Sequence, residues 1–145
     1  MLFGERPATG RGENMMGNAL ASRWLMMAVV YFVIGIGLGI HMGKTSDFVL
    51  APVHAHINLL GWVSMAIFAI IYHIVGNRML NRLAALHFWL YQIGVPVMLV
   101  TLAFYLQGNK ALEPVVGVSS IVVGIAVLVF AVNALRNGLT GAASQ

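Results

Sequence analysis

The apolar run that begins at Pro52 reads PVHAHINLLGW over residues 52–62 and continues to Val75. It is long enough for a membrane-spanning helix, which needs about 20 apolar residues. Two histidines, His54 and His56, therefore lie near one end of a predicted span. Ionisable side chains in such positions are costly and usually serve a function. We therefore predict a ligand role for this pair.

The spacing of the two histidines decides what they can bind. A regular α-helix turns about 100° per residue, so the side chains of His54 and His56 are expected to point about 200° apart. Such a pair cannot chelate one ion, but each imidazole can serve a separate neighbouring site. The pattern favours two cofactors, or one cofactor at each side of a repeated interface. Asn58, which lies one turn from His54, and Trp62 are included among the predicted cofactor-binding residues.

The composition is that of an integral membrane protein. The chain has 145 residues, of which 60% are apolar and 8% are charged, whereas a soluble domain carries about 25% charged residues. It contains no cysteine, which excludes disulfides, thiolate metal sites and iron–sulfur clusters. The formal charge of +4 comes from a few scattered basic residues beside the apolar runs, so it indicates membrane topology rather than nucleic-acid binding.

Four apolar runs predict an all-α membrane domain over residues 23–136. The predicted spans cover residues 24–42, 52–75, 83–107 and 114–135, with polar cytoplasmic tails at 1–22 and 137–145. Short loops make neighbouring spans antiparallel. In the first span, three glycines at four-residue spacing predict close helix packing. These glycines are Gly35, Gly39 and Gly43.

The basic residues predict the orientation. Six arginines fall on one side of the membrane, whereas only Lys44 and Lys110 fall on the other. Because loops rich in Lys and Arg stay inside, both termini are predicted to be cytoplasmic, in a bacterial-type inner membrane. His54 and His56 then lie near the outer face. The arginines are Arg6, Arg11, Arg23, Arg78, Arg82 and Arg136.

The other histidines and the aromatic residues near the span ends are interpreted as structural. His73 and His87 are expected to be interfacial, with water or backbone groups as partners. The aromatic residues are interpreted as anchors at the membrane surface; they are Trp24, Tyr72, Trp89, Tyr91 and Tyr105. The nine methionines form no Met-x-x-Met cluster, so they favour core packing over copper binding.

A family resemblance adds to these patterns. The sequences His54-Ala55-His56, Tyr72-His73 and, over residues 86–94, LHFWLYQIG resemble the tenth and eleventh helices of subunit I of the haem–copper oxidases. The resemblance covers roughly residues 52–107. In that family the His-x-His pair ligates two haems on opposite sides of one helix. The resemblance thus implies that His54 and His56 are haem-iron ligands. Without a Cys-x-x-Cys-His motif, the usual covalent c-type attachment is excluded, and haem b is the expected cofactor.

The chain also departs from that family. It has four predicted spans instead of twelve, it lacks the further His and Tyr residues of the family's copper site, and none of its four acidic residues lies in the middle of a span. These departures favour electron transfer and make copper binding unexpected. We predict a closed homotrimer with twelve helices, since cyclic symmetry is usual for homo-oligomers. In it, His54 of one protomer and His56 of the next would hold one haem per chain.

Several alternatives stay open. His41 lies at the outer end of the first span and is an alternative iron ligand within one chain. A second alternative is that the protein is not a cytochrome but a membrane protein without redox activity, which handles copper or haem or serves as an assembly factor or accessory subunit. A third alternative is binding or reduction of O₂ or NO at an open iron position. A quinol in the bilayer or a periplasmic redox protein is the expected electron partner.

Overall fold

The described part of the chain consists of helices and helical turns joined by short loops. The computed structural model describes the backbone of residues 9–138 and the side chains of residues 19–138. Five α-helices form the frame; they are α1 (Thr9–Thr45), α2 (Ala51–His56), α3 (Met65–Val75), α4 (Arg82–Leu106) and α5 (Glu113–Asn133). Helical turns of other types connect or extend them; they are the π-helical segment Ile57–Ser64, the 3₁₀ turns Gly76–Met79 and Lys110–Leu112, and the π-helical turn Ala134–Gly138.

Four helical runs among the described residues are long and apolar enough to cross a membrane. They are Ala19–Thr45, Ala51–Met79, Arg82–Leu106 and Lys110–Gly138. These runs confirm the predicted all-α class and the prediction of four helices that are long and apolar enough to span a membrane. Helix α1 begins at Thr9, so its first turns extend into the segment that the sequence assigned to a cytoplasmic tail. The predicted tail residues 1–8 and 139–145 lie outside the described residues.

Three of the helices begin at residues that suit a helix N-terminus, where the first backbone N–H groups have no acceptor within the helix. Pro52 lies in the first turn of α2 and Pro114 in the first turn of α5, where no intrahelical acceptor is available for the missing N–H. Asn81 caps α4, because its side-chain oxygen accepts hydrogen bonds from the backbone N–H of Leu83 at 2.8 Å and of Ala84 at 3.2 Å. The turns between runs are short, so successive runs are antiparallel.

An aromatic cluster joins all four helical runs. The indole of Trp24 stacks on the imidazole of His87, with ring centroids 4.7 Å apart and an angle of 27° between the planes. Phe68 contacts Phe130 with a centroid distance of 4.6 Å. The cluster comprises Trp24 from α1, Phe68 and Tyr72 from α3, His87 and Tyr91 from α4, and Phe130 from α5. These large rings fill the space between the hairpin α1–α3 and the hairpin α4–α5.

The interpretation of these aromatic residues as membrane-surface anchors was wrong for three of them. Trp24, Tyr72 and Tyr91 each have 0% of their surface exposed, so they belong to the core. Trp89, by contrast, is 61% exposed. Position along a span gives the depth of a residue in the membrane, but the direction of its side chain around the helix depends on which neighbouring helices pack there.

A buried asparagine fixes the end of the bundle that holds the turn between α3 and α4. The Oδ1 of Asn133 accepts hydrogen bonds from Nδ2 of Asn81 and Nδ2 of Asn137, both at 2.8 Å. Its Nδ2 donates to the carbonyl of Met79 at 3.0 Å. Asn133 is fully buried. It therefore ties the end of α5 to the turn that precedes α4.

Candidate functional site

His56 is oriented by a backbone carbonyl of its own helix. Its Nδ1 lies 2.7 Å from the carbonyl oxygen of Pro52. A carbonyl can only accept, so Nδ1 carries the proton and donates it, and Nε2 then presents its lone pair. Metal-binding histidines usually have this arrangement, because the second-shell acceptor fixes both the tautomer and the direction of the ring. The side chain of His56 is partly exposed.

His54 lies against α1 of the same chain. A Cβ atom at Gly39 would be 3.0 Å from Cε1 of His54, and one at Gly35 would be 2.8 Å from Oδ1 of Asn58. Gly35 and Gly39 are one turn apart, and together they form the surface on which these two side chains rest. The glycine spacing thus predicted close packing correctly at two positions. At Gly43 a Cβ would meet nothing within 4 Å.

The side chain of Asn58 is in direct contact with His54. Its Nδ2 donates to the backbone carbonyl of His54 at 2.8 Å and lies 3.5 Å from each ring nitrogen of that histidine. The 3.5 Å contacts are at the limit of hydrogen bonding, so neither ring nitrogen has a strong partner there. The amide group is therefore bonded to the backbone of His54 and has only long contacts with its ring.

The two other predicted site residues have different surroundings. Trp62 packs against Phe32 of α1, with ring centroids 4.6 Å apart and an angle of 30°. His41 is exposed, and its carbonyl accepts a hydrogen bond from Oγ1 of Thr45 at 2.9 Å. It lines a groove of about 660 Å³ beside the α1–α2 turn, together with Asp47 and Lys110. The structure places His41 at the end of the bundle that the sequence predicted. Neither His54 nor His56 lines the groove that contains it.

The helix that carries the histidine pair is not regular, which the sequence analysis missed. Its middle, Ile57–Ser64, is π-helical. The hydroxyl of Ser64 donates to the carbonyl of Leu59 at 2.8 Å, and the hydroxyl of Tyr91 donates to the carbonyl of Leu60 at 3.0 Å. Both bonds satisfy carbonyls within the widened turn. Such segments are rare and often lie at functional sites.

Another histidine, His87, contacts the hydroxyl of Tyr72 near the opposite end of the second and third spans. The hydroxyl of Tyr72 lies 3.0 Å from Nδ1 of His87, and both residues are fully buried. The interpretation of His87 as an interfacial residue was therefore wrong. Its Nε2 and Nε1 of Trp24 are buried without a hydrogen-bond partner among the described residues. His73 is exposed and lines an apolar groove of about 480 Å³ with Ser22.

Two searches bear on the histidine pair, one for metal-binding clusters among the described residues and one for similar proteins. In the part of the chain that the structure describes, no group of three or more His, Cys, Asp or Glu side chains lies close enough to hold a metal ion. Searches against protein-family models, curated proteins and solved structures found no match to this chain. The resemblance to subunit I of the haem–copper oxidases thus rests on the sequence motifs alone.

Proposed function

We propose that the protein is a membrane b-type cytochrome in which His54 and His56 are axial ligands of haem iron. The observation that carries the proposal is the hydrogen bond from Nδ1 of His56 to the Pro52 carbonyl. This bond directs the lone pair of Nε2 away from its own helix, as an axial ligand requires. Haem iron takes four nitrogen ligands from the porphyrin, so one imidazole on each face completes its coordination.

The residues around the pair suit that role. Asn58 donates to the backbone carbonyl of His54, and the absence of side chains at Gly35 and Gly39 lets Asn58 and the ring of His54 lie close to α1. Two neutral imidazoles produce a low-spin, six-coordinate iron, which transfers electrons and has no vacant position for O₂ or NO. The function supported best is therefore electron transfer, with a quinol in the bilayer or a periplasmic redox protein as the partner.

The proposal includes a closed homotrimer in the inner membrane, with cytoplasmic termini. The two imidazoles lie on one helix and point in different directions, so they cannot bind the same haem, and the proposal takes the second ligand of each haem from another chain. In a threefold ring, His54 of one protomer and His56 of the next would hold one haem, which gives one haem per chain. A ring of identical interfaces is closed and needs no second protein.

The decisive experiment is a reduced-minus-oxidised spectrum of the purified protein, with and without CO. We expect sharp α and β bands of low-spin haem b and no tight CO binding. His54→Ala or His56→Ala should remove the haem or convert it to a high-spin form that binds CO. His41→Ala is the matched control, because this exposed histidine lines a separate groove, and its spectrum should equal that of the wild type. A colourless preparation without extractable haem would disprove the proposal.

The oligomeric state is tested separately by native mass spectrometry from detergent. The expected mass is that of three chains with three haems. A monomer that retains haem would show that the second ligand comes from the same chain, and His41 would then be the first residue to substitute. Sustained O₂ or NO consumption by the purified protein, after removal of free haem, would show that it is an enzyme rather than an electron carrier.

A further inference from the structure

In the first half of the second span, every fourth residue is buried. Val53, Ile57 and Met65 are 4%, 6% and 0% exposed, and Gly61 between them is also buried. A side chain at Gly61 would collide with the ring of Tyr31 in α1, so this face is in close contact with its neighbour. In the α-helical second half, the buried positions return to the usual three- and four-residue spacing.

A four-residue repeat cannot stay on one face of a regular α-helix. Four residues turn about 400°, so each repeat drifts by about 40° and three repeats drift by about 120°. The π-helical segment Ile57–Ser64 removes this drift, because a π-helix has more residues per turn. The segment is therefore the reason that Val53 and Met65 face the same core.

The same segment decides where the two histidines point. In an unbroken α-helix, His54 would lie about 20° from the direction of Met65 and enter the core, and His56 would lie about 180° from it and face lipid. With Val53 on the core face instead, His54 lies about 100° to one side and His56 about 60° to the other. The contact of His54 with Gly39 agrees with this placement. The π-helical segment thus puts both imidazoles on the flanks of the helix.

Two side chains hold this segment by binding carbonyls within it. Tyr91 reaches across from α4, and its hydroxyl donates to the Leu60 carbonyl at 3.0 Å. Ser64 donates from within the segment to the Leu59 carbonyl at 2.8 Å. The ring of Tyr91 is fully buried. Its hydroxyl is therefore fixed by the core, and the position of the segment is fixed through it.

We propose that Tyr91 and Ser64 are positioning residues, which maintain the π-helical segment and thereby direct His54 and His56 to opposite flanks of their helix. The assignment of these histidines as ligands rests on the proposed function. The direction in which the two side chains point does not depend on the proposed function, and it can be tested without haem. Neither Tyr91 nor Ser64 touches the cofactor in this proposal.

A disulfide assay tests the direction of the helix. The chain has no cysteine, so Gly35→Cys with Asn58→Cys provides the only thiols. Cγ of Asn58 lies 3.1 Å from the Cβ position at residue 35, which is close enough for a disulfide between these positions. Oxidation should be fast in this pair. It should be about tenfold slower when Tyr91→Phe and Ser64→Ala are added, whereas Tyr72→Phe, which removes another buried tyrosine hydroxyl, should leave the rate unchanged.

The haem readouts use the same substitutions in the chain without engineered cysteines. The Tyr91→Phe, Ser64→Ala double variant should release haem about tenfold faster than the wild type, which lies within the range expected from losing two hydrogen bonds of ordinary strength. It should also shift the electron paramagnetic resonance g-values, because these depend on how the imidazole planes are oriented. A merely structural role would lower thermal stability and leave the g-values unchanged, as expected for the Tyr72→Phe control.

The outcomes separate this inference from the proposed function. An unchanged disulfide rate in the double variant overturns the inference, whether or not the protein binds haem. A slower disulfide rate with a wild type that contains no haem supports the positioning of the side chains and refutes the cytochrome proposal. A slower disulfide rate with unchanged haem release and g-values overturns the assignment of Tyr91 and Ser64 as positioning residues for the ligands.

Discussion

Replacing Gly39 by alanine tests the contact between α1 and the ring of His54. The new methyl group would lie 3.0 Å from Cε1 of that ring, whereas carbon atoms in contact prefer about 3.5–4.0 Å. The imidazole must therefore retreat by about 0.5–1 Å, or the two helices must separate. Overpacking of this kind costs about 1–3 kcal/mol of stability.

Gly37→Ala is the matched control, because a Cβ at Gly37 meets nothing within 4 Å. Both substitutions reduce the backbone freedom of the unfolded chain in the same helix, which favours alanine by about 0.5–1 kcal/mol. This gain cancels when the two variants are compared. The free energy of unfolding of the Gly39→Ala variant should therefore be lower than that of the Gly37→Ala variant by about 1–3 kcal/mol.

Two measurements check this prediction. Equilibrium unfolding in detergent gives the difference in stability, and haem content gives the effect on the site, since a ligand must be held within about 0.5 Å of its working geometry. We expect less haem in the Gly39→Ala variant and normal haem in the control. Equal stability and equal haem content in the two variants would show that His54 does not rest on α1, and the placement of that ring would be wrong.

Two further predictions concern the buried hydrogen bonds. Tyr72→Phe should lower the free energy of unfolding by about 1–3 kcal/mol, because it leaves the buried Nδ1 of His87 without a partner. The control Tyr105→Phe should change the free energy of unfolding by less than about 0.5 kcal/mol. Equal effects of the two substitutions in thermal unfolding would contradict the pairing of Tyr72 with His87. Asn133→Ala removes three hydrogen bonds and should cost about 3 kcal/mol, compared with about 1 kcal/mol for Asn137→Ala, which removes one. If Asn137→Ala proved equally costly, Asn133 would not be the centre of that network.

The sequence by itself determined the class of the protein and the number of its long apolar helices. The four predicted spans lie within the helical runs of the structure, except that residue 107 falls just after Leu106. Whether a segment suits the bilayer depends mainly on its own length and composition, which are local properties. The candidate ligands His54 and His56 were also visible, because polar side chains stand out in an apolar run.

Only the tertiary structure decided which way the side chains point. Trp24 and His87 looked like residues of the membrane surface, but they stack in the core, because helices that are distant in sequence meet there. The π-helical segment has a weak sequence signal, the four-residue repeat from Val53, which apolar neighbours conceal. One of the hydrogen bonds that support it comes from Tyr91, 31 residues after Leu60 in the chain. The direction of the histidine pair thus depends on a contact between helices, which the local pattern of the sequence does not contain.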